Sequence, residues 1–182
     1  YSDQVAGFDY EDCPPHPSWL TPPEWLGETE HTSQLHLLST QPANKLHSQL
    51  DHGSISRATK ISGHEPVLIN VGDAADRSIA DGAVVRVFNQ RGACLCGARL
   101  TEDIMPGVLM IATGAWLDPD IAGDSGVDCK HGNPNVLTPD RGTSSLAQGP
   151  AAHSCLVDIE LWTGEPVVVT AFTAPEIVQS KM

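Results

Sequence analysis

Basic residues are scarce: ten Lys and Arg stand against 23 Asp and Glu in 182 residues, a net charge of -13. Phosphate backbones and anionic lipid surfaces are gripped by clustered Lys and Arg, so neither nucleic acid nor a membrane is expected as a partner. The surplus of acid favours solubility. No apolar run is long enough to span a bilayer, and no charged-then-apolar signal segment opens the chain. Paired C-x-x-C spacing is also missing. Cys13, Cys94, Cys96, Cys129 and Cys155 are odd in number and scattered, which argues against a zinc or redox centre and for buried reduced thiols. Reduced thiols lean toward a cytoplasmic rather than a periplasmic setting. Cys94 and Cys96, two apart, are expected on one face of a strand.

Familiar catalytic spacings are absent as well. His31 and His36 are five apart, as are His47 and His52, so no pair has the H-x-x-x-H interval that sets two imidazoles on one helical face. There is no G-x-S-x-G elbow, and no acid is visibly coupled to a His. Asp118, Asp120, Asp124 and Asp128 lie in a Gly- and Pro-punctuated stretch without the regular spacing of a calcium loop. A metal centre and a nucleophilic hydrolase are therefore both disfavoured.

What is present is a polar stretch without net purpose as core. Residues 131–149, HGNPNVLTPDRGTSSLAQG, are rich in amides, hydroxyls, Gly and Pro, yet lie between strand-like regions. Uncharged donors and acceptors suit a hydrogen-bonded organic ligand better than a metal ion; loops this long in small domains are commonly either functional or disordered, and composition alone fits a solvated surface loop equally well. A second such segment, residues 39–49 (STQPANKLHSQ), follows the apolar run 35–38.

The rest of the chain frames these two loops. Residues 1–30 are acidic and Pro-rich, with Pro14, Pro15, Pro17, Pro22 and Pro23, and are expected to form an extended arm pinned by Trp19, Leu20 and Trp25. Because the sequence starts on Tyr1 rather than Met, that arm is expected to continue from a missing preceding domain. Short strands are expected at 35–39, 66–70, 84–88, 93–100, 108–112 and 155–161, and a last one at 167–172. Gln90-Arg91-Gly92 marks a hairpin turn. One amphipathic helix fits Gly72 to Ala80, and 51–61 reads as irregular. Six or seven short strands with one or two short helices and long loops predict a mainly β fold, a closed barrel rather than a layered α/β sheet.

Taken in order, LSTQP with LHSQ (38–42 and 46–49), EPVLIN (65–70), IADGAVVRVFN (79–89), RG (91–92), GNPNVLT (132–138) and LAQ (146–148) together resemble the C-terminal dinucleotide-binding domain of the dimethyl sulfoxide reductase family of molybdoenzymes. The resemblance runs from about Leu35 to Phe172 and is nearest to the biotin sulfoxide, trimethylamine N-oxide and dimethyl sulfoxide reductase branch. It implies a six-stranded double-psi β-barrel at 31–182 that helps bind bis(molybdopterin guanine dinucleotide) with its molybdenum. By resemblance, Ser39, Thr40, Gln41, Pro42, Lys45, His47 and Ser48 contact one dinucleotide, while Asn135, Gln148, Ala152 and His153 contribute from the other loop. Ala152 stands where Gly is common in the family, and Lys45 where Arg is common, a point charge in place of a bidentate fork.

The resemblance also places the metal-ligating Ser and the substrate funnel in earlier domains that this sequence lacks. The chain alone is expected to be inactive, a cofactor-holding piece of a reductase of S-oxides or N-oxides, with those domains as its partners. A different class fits the same barrel: a self-contained adaptor module that binds proteins or peptides.

Overall fold

The computed structural model describes residues 1–27, 33–123, 125–174 and 177. Six strands, β1 (Leu35–Leu38), β2 (Pro66–Asn70), β3 (Val84–Phe88), β4 (Ala93–Thr101), β5 (Val108–Ile111) and β6 (Leu156–Leu161), close into a barrel in the order β1-β5-β2-β4-β3-β6. The local sequence explains each strand. In β3, for example, Val85 and Val87 point inward and are fully buried, while Val84, Arg86 and Phe88 alternate outward, the two-residue period of a pleated strand. β4 is covered on both faces from Ala93 to Ala98, which is why its sequence does not alternate.

β1 and β5 run parallel, as do β2 and β4, and every other pairing is antiparallel. This is the double-psi β-barrel. Its strand polarity sorts the connections: β1–β2, β3–β4 and β5–β6 all leave from one rim, while β2–β3 and β4–β5 leave from the other. Both amide-rich segments therefore emerge on the same rim. The β1–β2 connection crosses β4 so closely that a Cβ on Gly97 would lie 2.2 Å from Ile61 Cβ, so only Gly fits there.

The interior is aliphatic. Leu37, Val67, Ile69, Val85, Val87, Leu109, Ile111 and Val157 are wholly buried, each contributing about 1.5–3 kcal/mol of burial. Cys94 and Cys96 share a strand face with their sulfurs 3.8 Å apart, and with Cys129 and Cys155 they are buried free thiols. At the opposite rim α3 (Val71–Asp76) follows β2 directly. Asn70 caps it, its Oδ1 accepting from the Gly72 N–H at 2.9 Å.

Four expectations are corrected. The arm is not wholly extended, since α1 (Asp3–Ala6) forms one turn capped by the Ser2 hydroxyl before the prolines begin. Residues 54–59 are not irregular but helical, α2 (Ser54–Thr59); only Ser56 is buried, and tertiary contact rather than an apolar stripe holds it. The described residues contain three short helices, not one or two. Finally, residues 167–172 form no strand. β6 already pairs with both β1 and β3, so the closed barrel has no edge left to receive a seventh. The expected boundary between arm and barrel, at residues 30 and 31, lies outside the described residues.

Candidate functional site

The first loop of the rim is anchored from beneath. Lys45 Nζ donates to Asp51 Oδ1 at 3.0 Å and to Glu65 Oε2 at 2.9 Å, and Lys60 Nζ bonds the same two carboxylates, Asp51 at 2.8 Å and Glu65 more closely. The Ser56 hydroxyl and the Trp116 N–H complete the shell of Asp51 at 3.2 and 3.0 Å. Asp51 is fully inaccessible to solvent. Burial alone would raise its pKa, but hydrogen bonds from Lys60, the Trp116 amide and Lys45 hold it down to about 2. Burial opposes the charge on Lys45 too, yet Glu65 and Asp51 keep its pKa above the ordinary value. Two cations and two anions thus neutralise one another inside the domain.

Above this base the loop turns its polar groups outward. Thr40 and Gln41 are exposed, Ser39 is buried, and Thr113 ties the loop to β5 through its N–H on the Thr40 carbonyl at 2.9 Å. Gln41 Nε2 donates to the Lys45 carbonyl and Asn44 Nδ2 to Thr59 Oγ1. A groove of about 270 Å³ runs beside Thr40, Gln41, Pro42, Asn44 and Arg99. His47, at φ 50°, and Ser48 pack through their backbones and leave their side chains exposed. The Ser48 carbonyl accepts from Trp116 Nε1 at 2.7 Å. The His47 carbonyl fills the space where a Cβ on Gly114, φ 91°, would sit 1.7 Å away.

His131 closes the base of the rim. Its Nδ1 lies 3.0 Å from the Trp116 carbonyl and 3.8 Å from Asp51 Oδ2. Burial, aided by the Lys60 charge, holds its pKa below the usual range, so the ring is neutral near pH 7. A carbonyl can only accept, which puts the ring proton on Nδ1 and leaves Nε2 a lone-pair acceptor. Among the described residues Nε2 is the buried side-chain polar atom without a partner, and the Phe172 ring meets the imidazole edge-on at 4.9 Å.

The second loop has three parts. Asn133 caps the 3-10 turn Pro134–Val136, its Oδ1 accepting from the Asn135 N–H at 2.9 Å, which leaves the Asn135 side chain exposed. The turn is held against the β3–β4 hairpin by Asn89 Nδ2 and Arg91 Nε, both donating to the Leu137 carbonyl. Gln148 sits in a small hairpin bonded to itself: Nε2 donates to the Ser144 carbonyl at 2.8 Å and the Thr143 N–H to the Gly149 carbonyl. Half-buried Ala152 and exposed His153 follow.

The candidate residues accordingly fall in three places on one rim. Thr40, Gln41 and Pro42 line the groove with Ser39 and Lys45 buried in the same loop, Asn135 stands by the β3–β4 hairpin, and Gln148 with Ala152 and His153 lies toward the arm. His47 and Ser48 join the first group to Trp116. Lys45 does not reach outward, because its charge is matched internally. Asp51, Lys60, Glu65 and the imidazole of His131 belong to the same assembly and carry no sequence pattern that marks them. The nearest signal is Glu65, a carboxylate abutting a buried apolar run. Among the described residues no three His, Cys, Asp or Glu side chains are placed to hold a metal ion, and no helix is long and apolar enough to cross a membrane.

Residues 35–156 match the family described as "Molydopterin dinucleotide binding domain". The chain is 45% identical over 176 residues to dimethyl sulfoxide/trimethylamine N-oxide reductase of Cereibacter sphaeroides, covering 97% of this chain and 21% of that protein. It is 46% identical over 164 residues to biotin sulfoxide reductase of the same organism, covering 90% and 22%. Among solved structures, acetylene hydratase from Pelobacter acetylenicus superposes with a TM-score of 0.70 at 14% identity, over 89% of this chain and 23% of that one, a likeness of fold. The chain spans about a fifth of the length of these curated relatives.

Proposed function

The chain belongs to the molydopterin dinucleotide binding domain family, and on that premise we propose that it is the cofactor-holding domain of a molybdenum enzyme that reduces S-oxides or N-oxides. The cofactor is bis(molybdopterin guanine dinucleotide), and the partners are the other domains of that enzyme, reached through the arm. Bound there, the cofactor supplies the molybdenum that takes oxygen from the oxide. This chain's residues bind and orient it.

The observation that carries the reading is the state of the rim's charges. A chain of net charge -13 would repel a diphosphate, yet Asp51 and Glu65, the acids beneath the first loop, are buried and neutralised by Lys45 and Lys60. What faces outward is a set of neutral amides and hydroxyls, which fits a large polar ligand. Thr40, Gln41, Pro42, His47 and Ser48 would contact one dinucleotide; Asn135, Gln148, Ala152 and His153 would contribute from the far side. Ser39 and Lys45 support the first loop from behind.

Gln41→Ala and Asn135→Ala in the full-length enzyme test this. Each is expected to lower molybdenum and guanine per polypeptide, by about 2- to 10-fold for a lost hydrogen bond. Unchanged loading in both variants overturns the reading.

A further inference from the structure

The 3-10 turn Pro134–Val136 hangs on one carbonyl. Leu137 is wholly buried, and three donors converge on its oxygen: Asn89 Nδ2 at 2.9 Å, Arg91 Nε at 2.6 Å and the Cys155 thiol at 3.3 Å. Its own N–H closes the turn on the Pro134 carbonyl at 3.0 Å. The turn also lies against Gly92, where an added Cβ would meet the Val136 carbonyl at 2.7 Å. Asn135 is therefore displayed, exposed, on a turn whose placement the β3–β4 hairpin sets.

Arg91 is placed in its turn by the arm. Nη1 donates to Glu24 Oε1 at 2.5 Å and Nη2 to Glu24 Oε2 at 2.9 Å, a bidentate, charge-assisted pair. Glu24 Oε2 also accepts the Leu156 N–H at 2.8 Å. Leu156 opens β6, and the register of β3 with β6 would set Gln90 opposite it, where β3 has already ended at Phe88. Two side chains stand in for the missing rung, Glu24 on the Leu156 N–H and Asn89 Nδ2 on its carbonyl at 3.1 Å. The guanidinium is a rigid plane. With both Nη groups on Glu24, its Nε edge is held on Leu137; without Glu24, the plane turns about its stem and the Leu156 N–H loses its acceptor.

We propose that Glu24 and Arg91 are positioning residues for the dinucleotide: the arm's carboxylate fixes the guanidinium, the guanidinium fixes the Leu137 carbonyl, and the turn so held presents Asn135. The inference rests on the reading above that Asn135 contacts the dinucleotide. It gives the arm a part in cofactor binding that is exercised through another residue.

Guanine content per polypeptide in the full-length enzyme provides the test, with Glu24→Gln, Asn135→Ala and the double variant. Each single change is expected to lower it by about 2- to 10-fold. The double variant should lie no lower than Asn135→Ala, because changes that act through one group do not add. Arg91→Lys keeps the charge and loses the fork, so it should match Glu24→Gln and likewise add nothing to Asn135→Ala. Hydrogen exchange in Glu24→Gln, read by mass spectrometry, should quicken in a peptide spanning 133–138 and stay unchanged in one spanning 93–100. Full guanine content in Glu24→Gln, losses that multiply in the double variant, or exchange that quickens in both peptides or in neither overturns the proposal. If Gln41→Ala lowers guanine content while Asn135→Ala does not, this inference falls and the reading of the domain stands. If neither lowers it, both fall.

Discussion

The two polar connections of the rim are alike in composition and opposite in how they are held. Residues 39–49 rest on a buried ionic cluster that engages Lys45, Asp51, Lys60 and Glu65, and their backbone is locked to β5 and Trp116. Residues 138–150 rest on themselves: a self-bonded hairpin, steadied from outside by Asp12 of the arm. One loop is part of the folded core's electrostatics; the other is surface. Amide- and hydroxyl-rich composition thus does not mark rigidity. Rigidity comes from charges that the composition hides.

The sharpest way to break this contrast is to remove one member of the cluster. Asp51→Ala leaves two buried ammonium groups sharing a single carboxylate and is expected to cost about 3–5 kcal/mol of global stability, read from denaturant unfolding. A loss below 1 kcal/mol would show that the first loop is no better anchored than the second. Lys45→Met should behave similarly.

Acid is the next probe. Asp51 has its folded pKa depressed to about 2, so its contribution is present above the unfolded carboxylate range and disappears as pH falls from about 4 toward 2, on the order of 2 kcal/mol. His64 and His131 are depressed chiefly by burial, so stability should begin to fall earlier, as pH drops below about 6.5. Chemical unfolding measured across pH should show both stages, and Asp51→Asn should remove the lower one. The self-bonded hairpin should contribute to neither.

Asp12→Ala acts on the other side of the comparison. It removes two exposed hydrogen bonds to Ser145, worth about 0.5–1 kcal/mol. Amide exchange at Ser145 should quicken while exchange at the core amides of β4 does not change. Smallest of all, Gln148→Ala should shift global stability by no more than about 0.5 kcal/mol, as expected for a side chain bonded only within an exposed turn. A global loss matching that of Asp51→Ala would erase the distinction between the loops.

Much of the architecture was legible because it is local. The alternation of β3, the Gln90–Gly92 turn and the apolar runs of β1, β2 and β5 each state their geometry within a few residues. The placement of both polar loops on one rim followed once the strands were joined as a double-psi barrel. Other features were not legible for definite reasons. α2 has no apolar stripe or side-chain cap, and it forms where Ser56 meets Asp51. Residues 167–172 have the composition of a strand but no free edge to join. Lys45 reads as an outward cation because a Lys in a polar loop usually is one, and nothing nearby in the chain announces Glu65 as its partner, twenty residues on.

By itself the sequence determined the mainly β character, the strand positions, the buried thiols and the family, since these depend on periodicity and on motifs carried by consecutive residues. Tertiary structure alone decided which charges are matched. Lys45 and Lys60 meet Asp51 and Glu65 only once the β1–β2 connection has folded. Ion pairing depends on distances of a few ångströms, and separations of 5 to 20 residues along one connection do not set those distances; its fold does.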